Sequence, residues 1–387
     1  MTVPAGIEQQ AWVKAETTFD TQVAETATDA VNNQEFKLEP ERALEPSISH
    51  VGTGSLQEQI SRKKSHKWSI KNYVRTSAAG TAPDIGPLLI AAMGDETIVG
   101  GTSATYAFND TAPSSLQFVR KVGSPLYELG NGGWVESMEI DIQGNSEPSY
   151  TFSGGYARHG KVVDGATVDG AVSISATAIP VAAGTGRRIT PGAGVLVAFG
   201  AEDNGGAGYQ VTSRAGDTLT ITPGLAAGLS GGEAVTPLTV TQTLAGSIRG
   251  GIDAALILDA VEVGFISGKV SVTTGIKGLD KEANTDRVSR ILRKERREVS
   301  FEGQAYFDSS DLGAVIGATH EDDPVNVDLE LRIGPDVAGS RCRLLLPAIP
   351  LMVKPIEVPD QEELTWLLSG RAQQSAVAGD ELSIVYD

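Results

Sequence analysis

The sequence predicts a mainly β fold, on three observations. Val, Ile and Thr recur in short runs that alternate apolar and polar residues at a period of two. Glycine is abundant, at 45 of 387 residues, while aromatics make up only 5%. Clusters of Gly, Pro, Asn and Asp separate the alternating runs, as turns between strands require.

Residues 1–45 read as an N-terminal arm with one strand, AWVKAETTF, and a proline-bearing extended stretch, FKLEPERALEP. SISHVGTGSLQEQISRKKSHKWSIKNYV then passes from a Gly/Ser-rich loop through the basic residues Arg62, Lys63 and Lys64 into a strand. In APDIGPLLIAAMG, Asp84 is the candidate N-cap and Ile85, Leu88, Leu89 and Ala92 fall at helical spacing. Gly94 ends that helix. SLQFVRKVG, GGWVESMEIDIQG and SYTFSGGYARHGKV carry strand alternation. Between 164 and 243 lysine vanishes, and AVSISA, GVLVAFG, GYQVTSR and DTLTITPG alternate with tight turns. This segment is expected to be a small inserted β domain between a first β domain at 46–163 and a second at 244–387.

The second domain opens its most charged stretch with RVSRILRKERREVSFEGQAYF, in which Arg290, Arg293, Lys294, Arg296 and Arg297 precede a strand. A helix over 310–319 follows, with Ser310 or Asp311 as N-cap, and then the strands NVDLELRIG, SRCRLLLPAIPLMVKP and ELTWLLSGRAQ. The order repeats that of the first domain. SRKKSHKWSIKNYV parallels LRKERREVSFEGQAY, APDIGPLLIAAMG parallels SSDLGAVIGATH, SLQFVRKVG parallels NVDLELRIG, and YTFSGGYAR parallels WLLSGRAQ. Four matches in one order predict an internal duplication.

Composition narrows the function. A formal charge of −18 repels phosphate backbones at long range and argues against tight nucleic-acid binding. One cysteine, Cys342, allows no intrachain disulfide framework and fits a reducing cytoplasm as the place of synthesis; RCRLLLP reads as a strand that buries it. No apolar run approaches the roughly 18 residues of a membrane span. The four histidines have no metal-ligand spacing, and neither a G-x-S-x-G elbow nor a Walker A sequence occurs. No cofactor or metal is expected, and the balance points to a structural role rather than an enzyme.

The segments LEPERALEPSISHVGTGSLQ, KWSIKNYV…APDIGPLLIAAMG, REVSFEGQAYF…DLGAVIGA and RLLLPAIPLMVKPIE…GDELSIVYD resemble the tail tube (major tail) proteins of long-tailed bacteriophages. The likeness covers the chain outside 164–243 and rests on the order of elements. It implies two tube-type β-sandwich or split-barrel domains, each flanked by one short α-helix, with the insert displayed outside. It also implies self-assembly into stacked rings, of three chains with pseudo-sixfold symmetry or alternatively six, in a virion tail through which genomic DNA passes. The implied partners are further copies of the chain, tail terminator, tape measure and baseplate or distal tail proteins, with no membrane anchor. A virion decoration or host-surface binding protein, with the insert as receptor-binding part, is the alternative.

Under that likeness, acidic groups lining the bore would repel DNA. Alternation puts Glu139 and Asp141 on one face of VESMEIDI, and Asp328 and Glu330 on one face of VDLELRI, as candidates. The basic residues Arg62, Lys63, Lys64, Arg290, Arg293, Lys294, Arg296 and Arg297 are expected to pair with carboxylates of a neighbouring subunit or ring. The N-terminal arm and the last strand, ELSIVYD, are expected to reach across to neighbours.

Overall fold

The computed structural model describes residues 9–46, 59–110, 113–123, 125–238, 240–306, 326–353, 365–375 and 380–387, with only the backbone given at 42–46, 59–62, 65 and 353. The chain is mainly β. Apart from two short ribbons (Arg75–Thr76 with Ser247–Ile248, and Ile276–Gly278 with Ile291–Arg293), its strands before the insert are β1 (Gln9–Ala15), β2 (Ala30–Val31), β3 (Glu35–Pro46), β4 (Gln59–Tyr73), β5 (Gly94–Val99), β6 (Ser103–Phe108), β7 (Leu116–Val122), β8 (Leu126–Gln143), β9 (Ser149–Tyr156) and β10 (Arg158–Val163). After it come β11 (Ala255–Leu258), β12 (Val261–Val263), β13 (Phe265–Thr273), β14 (Glu298–Tyr306), β15 (Asn326–Ile333), β16 (Cys342–Val353), β17 (Thr365–Arg371) and β18 (Ser383–Tyr386). Among the described residues, no sheet closes into a barrel.

One succession of antiparallel pairings occurs twice. In the first half β3 pairs with β4, β4 with β9, β9 with β8, β8 with β7, and β7 with β1, which also pairs with β2. In the second half β13 pairs with β14, β14 with β17, β17 with β16, β16 with β15, and β15 with β11, which also pairs with β12. β10 lies on β8 as β18 lies on β16. Three of the four sequence parallels fall on strands in equivalent places: β4 and β14, β7 and β15, β9 and β17. The fourth, the helix expected at 310–319, lies outside the described residues.

Two junctions lock the halves together. β8 pairs along Ser137–Gln143 with β13, and the C-terminal β18 pairs with β6. The first junction makes one continuous sheet in the order β3-β4-β9-β8-β13-β14-β17-β16. Its apolar face (Trp68, Ile70, Ile140, Phe152, Val270 and Phe301 among others) meets the inner residues of a second layer, including Phe118, Leu329, Leu331, Leu344 and Ile384, in one buried core. A strand with one face against a core and one in solvent must alternate, which is why the period of two was so clear in these segments.

The helix α1 (Gly86–Met93) sits in this core, with Leu88, Leu89 and Met93 fully buried. Gly94 ends it in the left-handed region (φ 107°), donating its N–H to Ile90 O, as the sequence predicted. Asp84 does not cap it. The N-cap position is Ile85, and the Asp84 carboxylate instead accepts the N–H of Asn32 at 3.0 Å, tying the helix start to the β2–β3 link.

The expected arm is part of the body: β1, β2 and β3 pair within the sheets, and Trp12 and Val13 are buried. The segment 166–237 forms its own six-stranded sheet, inside the expected insert. It follows β10 and precedes β11, so it stands between the two pairing successions rather than within one. Its core is not separate, because Val195, Tyr209 and Val235 pack in one cluster with Trp12, Val119, Tyr127 and Leu129 of the body.

Candidate assembly surfaces

The solvent face of the eight-stranded sheet carries small hydroxyl residues and charges of both signs. In-register neighbours across its middle are Thr151, Glu139 and Ser271, and in the next row Ser153, Ser137 and Thr273. Ser137 and Ser153 share a hydroxyl–hydroxyl bond of 2.7 Å. Glu139 and Asp141 lie on this face, half-buried, as alternation predicted. They do not form a bare acidic strip, because Lys269 bonds Glu139 at 3.0 Å and sits opposite Asp141. Lys37, Lys67, Lys71 and Arg371 share the face with Glu35, Glu39, Glu298 and Glu302, and Arg371 pairs with Glu298 at 3.0 Å.

Asp328 and Glu330 are elsewhere. They lie on the outer face of β15, whose Leu329 and Leu331 point into the core from the second layer. Two layers that turn apolar faces to one core turn charged faces in opposite directions. The four carboxylates therefore do not line one surface, and Glu139 and Asp141 are the pair on the continuous sheet.

That sheet ends in two edges without a partner strand among the described residues. One is β3, whose Glu35, Lys37, Glu39, Pro40 and Glu41 are exposed. Charges and a proline are what an edge strand uses to discourage indiscriminate pairing. The other is Leu351–Val353 of β16, bonded to β17 on one side only. Beside it the solvent face turns apolar: Met352 is 68% exposed, and Leu367 and Tyr306 are also exposed. Sequence reasoning missed this rim. The signal was the pair Leu367–Leu368, since in a strand two adjacent leucines point to opposite faces and one must leave the core. The described parts of the two segments expected to reach neighbours are used internally, β1 against β7 and β18 between β16 and β6.

Most of the basic candidates are also satisfied within the chain. Lys63 donates to Glu282 O and to Thr285 Oγ1, and Lys64 pairs with Asp286 at 2.7 Å. Arg290 pairs with Glu282 at 2.6 Å, and Arg293 and Arg297 share Asp110 at 2.6 and 3.0 Å. Arg297 also bonds Glu381 at 2.9 Å, and exposed Lys294 makes a long contact of 3.4 Å to Gly278 O. Arg296 is exposed and has no ion-pair partner among the described residues. The side chain of Arg62 lies outside the described residues. The basic run is thus first of all an intrachain clasp holding β4, the 282–297 segment and Asp110 together.

Cys342 is fully buried against the hydroxyl of Tyr150, and burial raises its thiol to about 12, so it is no nucleophile. His66 and His159 lie near Tyr156, with His66 stacked on that ring at 4.9 Å. Burial, then Lys64, pushes His66 down to about 4; burial, then His66, does the same to His159. Their folded pKa values fall below the unfolded value, so the neutral rings favour the fold fully above about pH 6.5. That contribution, on the order of 1–3 kcal/mol per ring, is lost as pH falls toward 4. Glu16 acts in the opposite sense: burial raises it to about 7, so its contribution is full below 4.5 and lost as pH rises through 7. An NMR titration of the imidazole carbons is expected to give both histidine midpoints near 4, and midpoints near 6.5 would mean that the rings are solvated.

No group of three or more His, Cys, Asp or Glu with metal-binding geometry occurs among the described residues, and no helix there is long and apolar enough to cross a membrane. No protein-family model matches the sequence, and no curated protein matches it.

Proposed function

We propose that the chain is a structural tail tube subunit of a long-tailed bacteriophage, with a duplicated tube domain. Copies associate head to tail into rings of three, and the rings stack into a hollow tube that conducts DNA. The observation that carries this reading is the doubled succession of pairings inside one continuous sheet. Within the chain the halves are joined by β8 against β13. The strands equivalent to these are β16 and β3, and both are edges among the described residues. Pairing β16 of one copy with β3 of the next would repeat the internal junction, set Met352 beside the side chains of β3 and use up both edges. A heterologous contact of this kind makes a ring when its rotation closes.

The solvent face of the sheet then becomes the bore, lined by hydroxyls and by carboxylates such as Glu139 and Asp141 that are interleaved with lysines. Such a wall offers DNA no cationic track, so counterion release gives the genome little grip. The role is mechanical, with no catalytic step, and the subunit is a virion component whose further partners are the proteins that cap, measure and anchor a tail.

Mass photometry and negative-stain electron microscopy of the wild-type chain and of Met352→Lys test this. The wild-type chain is expected to give rings of three at low concentration and stacked tubes at high concentration. Met352→Lys is expected to remain monomeric with stability unchanged within about 0.5 kcal/mol, since the residue is exposed in the single chain. Rings of six would keep the tube and overturn the three-chain ring, while a monomer under every salt and concentration would overturn the proposal.

A further inference from the structure

Where the insert rests on the body, its rim encloses a trough made of a polar cavity of about 560 Å3 and a mainly apolar one of about 260 Å3, which share Arg158, Gly192 and Arg287. No aromatic ring lines the larger one, whose walls come from the 20–22 segment, β8, β10, the insert and the 282–297 segment.

Its hydrogen bonding is incomplete. Asp20 Oδ2 accepts from Arg158 Nε and lies 3.4 Å from Arg287 Nε, while Oδ1 has no partner among the described residues. Asn131, only 1% exposed, donates Nδ2 to Ala193 O at 3.1 Å and leaves its own Oδ1 unpartnered. Gln22 accepts from Gln210 Nε2 at 2.9 Å and leaves its Nε2 unpartnered. Two acceptors and one donor thus stand unused in one wall. Each costs about 1–3 kcal/mol when buried without a partner, a cost that structural interiors rarely leave standing.

The trough carries four cations on an otherwise acidic chain. Lys64, Arg158, Arg287 and Arg214 line it against Asp20 and Glu41, with Asp286 beside it paired to Lys64 at 2.7 Å and lying 3.5 Å from Arg287. A fitting ligand must supply groups that both donate and accept, together with a negative charge. Sugar hydroxyls do the first and a uronic carboxylate the second, on an arginine fork that matches it.

We infer that this trough binds an acidic saccharide of one or two residues. The hydroxyls meet Asp20, Gln22 and Asn131, and the carboxylate meets Arg287. Without an aromatic platform binding is weak per site, in the low millimolar range, and repetition along an assembly would raise it. The inference does not depend on the tube reading, since the trough lies within one chain.

Ligand-observed saturation-transfer NMR with D-glucuronate and D-glucose, plus competition by sulfate, tests it in any assembly state. Glucuronate is expected to give saturable transfer, with glucose about fivefold weaker and sulfate a poor competitor. Arg287→Gln is expected to weaken glucuronate about fivefold, and Gln22→Ala about threefold, with melting temperatures checked for both. No transfer to glucuronate at about 20 mM would overturn the site. Equal signals for glucose would overturn the charge selectivity. Full displacement by sulfate would reduce it to an anion site and overturn the saccharide.

Discussion

Trp68→Ala is expected to destabilise the chain by about 3–5 kcal/mol, enough to remove much of the stability of an ordinary domain. Trp68 is 2% exposed on β4, and its ring lies 4.3 Å from that of Phe118 across the two layers. Its indole N–H donates to Trp134 O and Gly155 O, both at 3.1 Å, where the pairing of β9 with β8 shifts register. Removing it therefore opens a cavity and leaves two buried carbonyls short of a donor. Trp68→Phe keeps most of the packing and is expected to cost about 1–2 kcal/mol, mainly for the lost hydrogen bonds. Gly155→Ala attacks the same spot from the other side, since its Cβ would lie 2.2 Å from Trp134 Cζ2. Urea unfolding, with slopes compared among variants, measures all three. A Trp68→Ala loss below about 1.5 kcal/mol would mean that the shift in register does not depend on the indole.

Much of this fold was legible because half-buried antiparallel strands write their burial into the sequence. VESMEIDI and VDLELRI alternate, and Met138, Ile140, Ile142, Leu329 and Leu331 are all buried. Alternation, however, specifies a face only relative to the strand's own core. It cannot say on which side of a two-layer molecule that face lies, and for this reason Glu139 and Asp328 were grouped together though they point opposite ways. FKLEPERALEP suggested extended backbone outside the body because of its prolines. An edge strand tolerates proline, and β3 is such an edge. The repeat was legible from strand segments alone, whereas Lys-free composition marked the insert but not the core it shares with Trp12 and Val119.

The basic run was the hardest element to read, because its partners are remote in sequence. Asp110 lies 183 residues from Arg293, and Glu381 lies 84 from Arg297. Arg297 is the centre of this clasp. Its side chain is 12% exposed, its Nε meets Glu381 and its Nη1 meets Asp110, and its guanidinium lies 4.5 Å from the ring of Phe108. Arg297→Ala is expected to cost about 2–3 kcal/mol, since it strips a half-buried carboxylate of its partner as well as the stacked contact. Arg297→Lys should recover at most half of that, because an ammonium cannot serve two carboxylates and an aromatic face in one planar geometry. Arg290→Ala, at a 68% exposed residue paired with Glu282, should stay within about 1 kcal/mol. Unfolding and mass photometry on the same three variants separate two roles. Lower stability with ring formation intact in whatever folds makes the run an internal clasp. An Arg297→Ala chain of unchanged stability that no longer assembles would return these charges to the interface between copies.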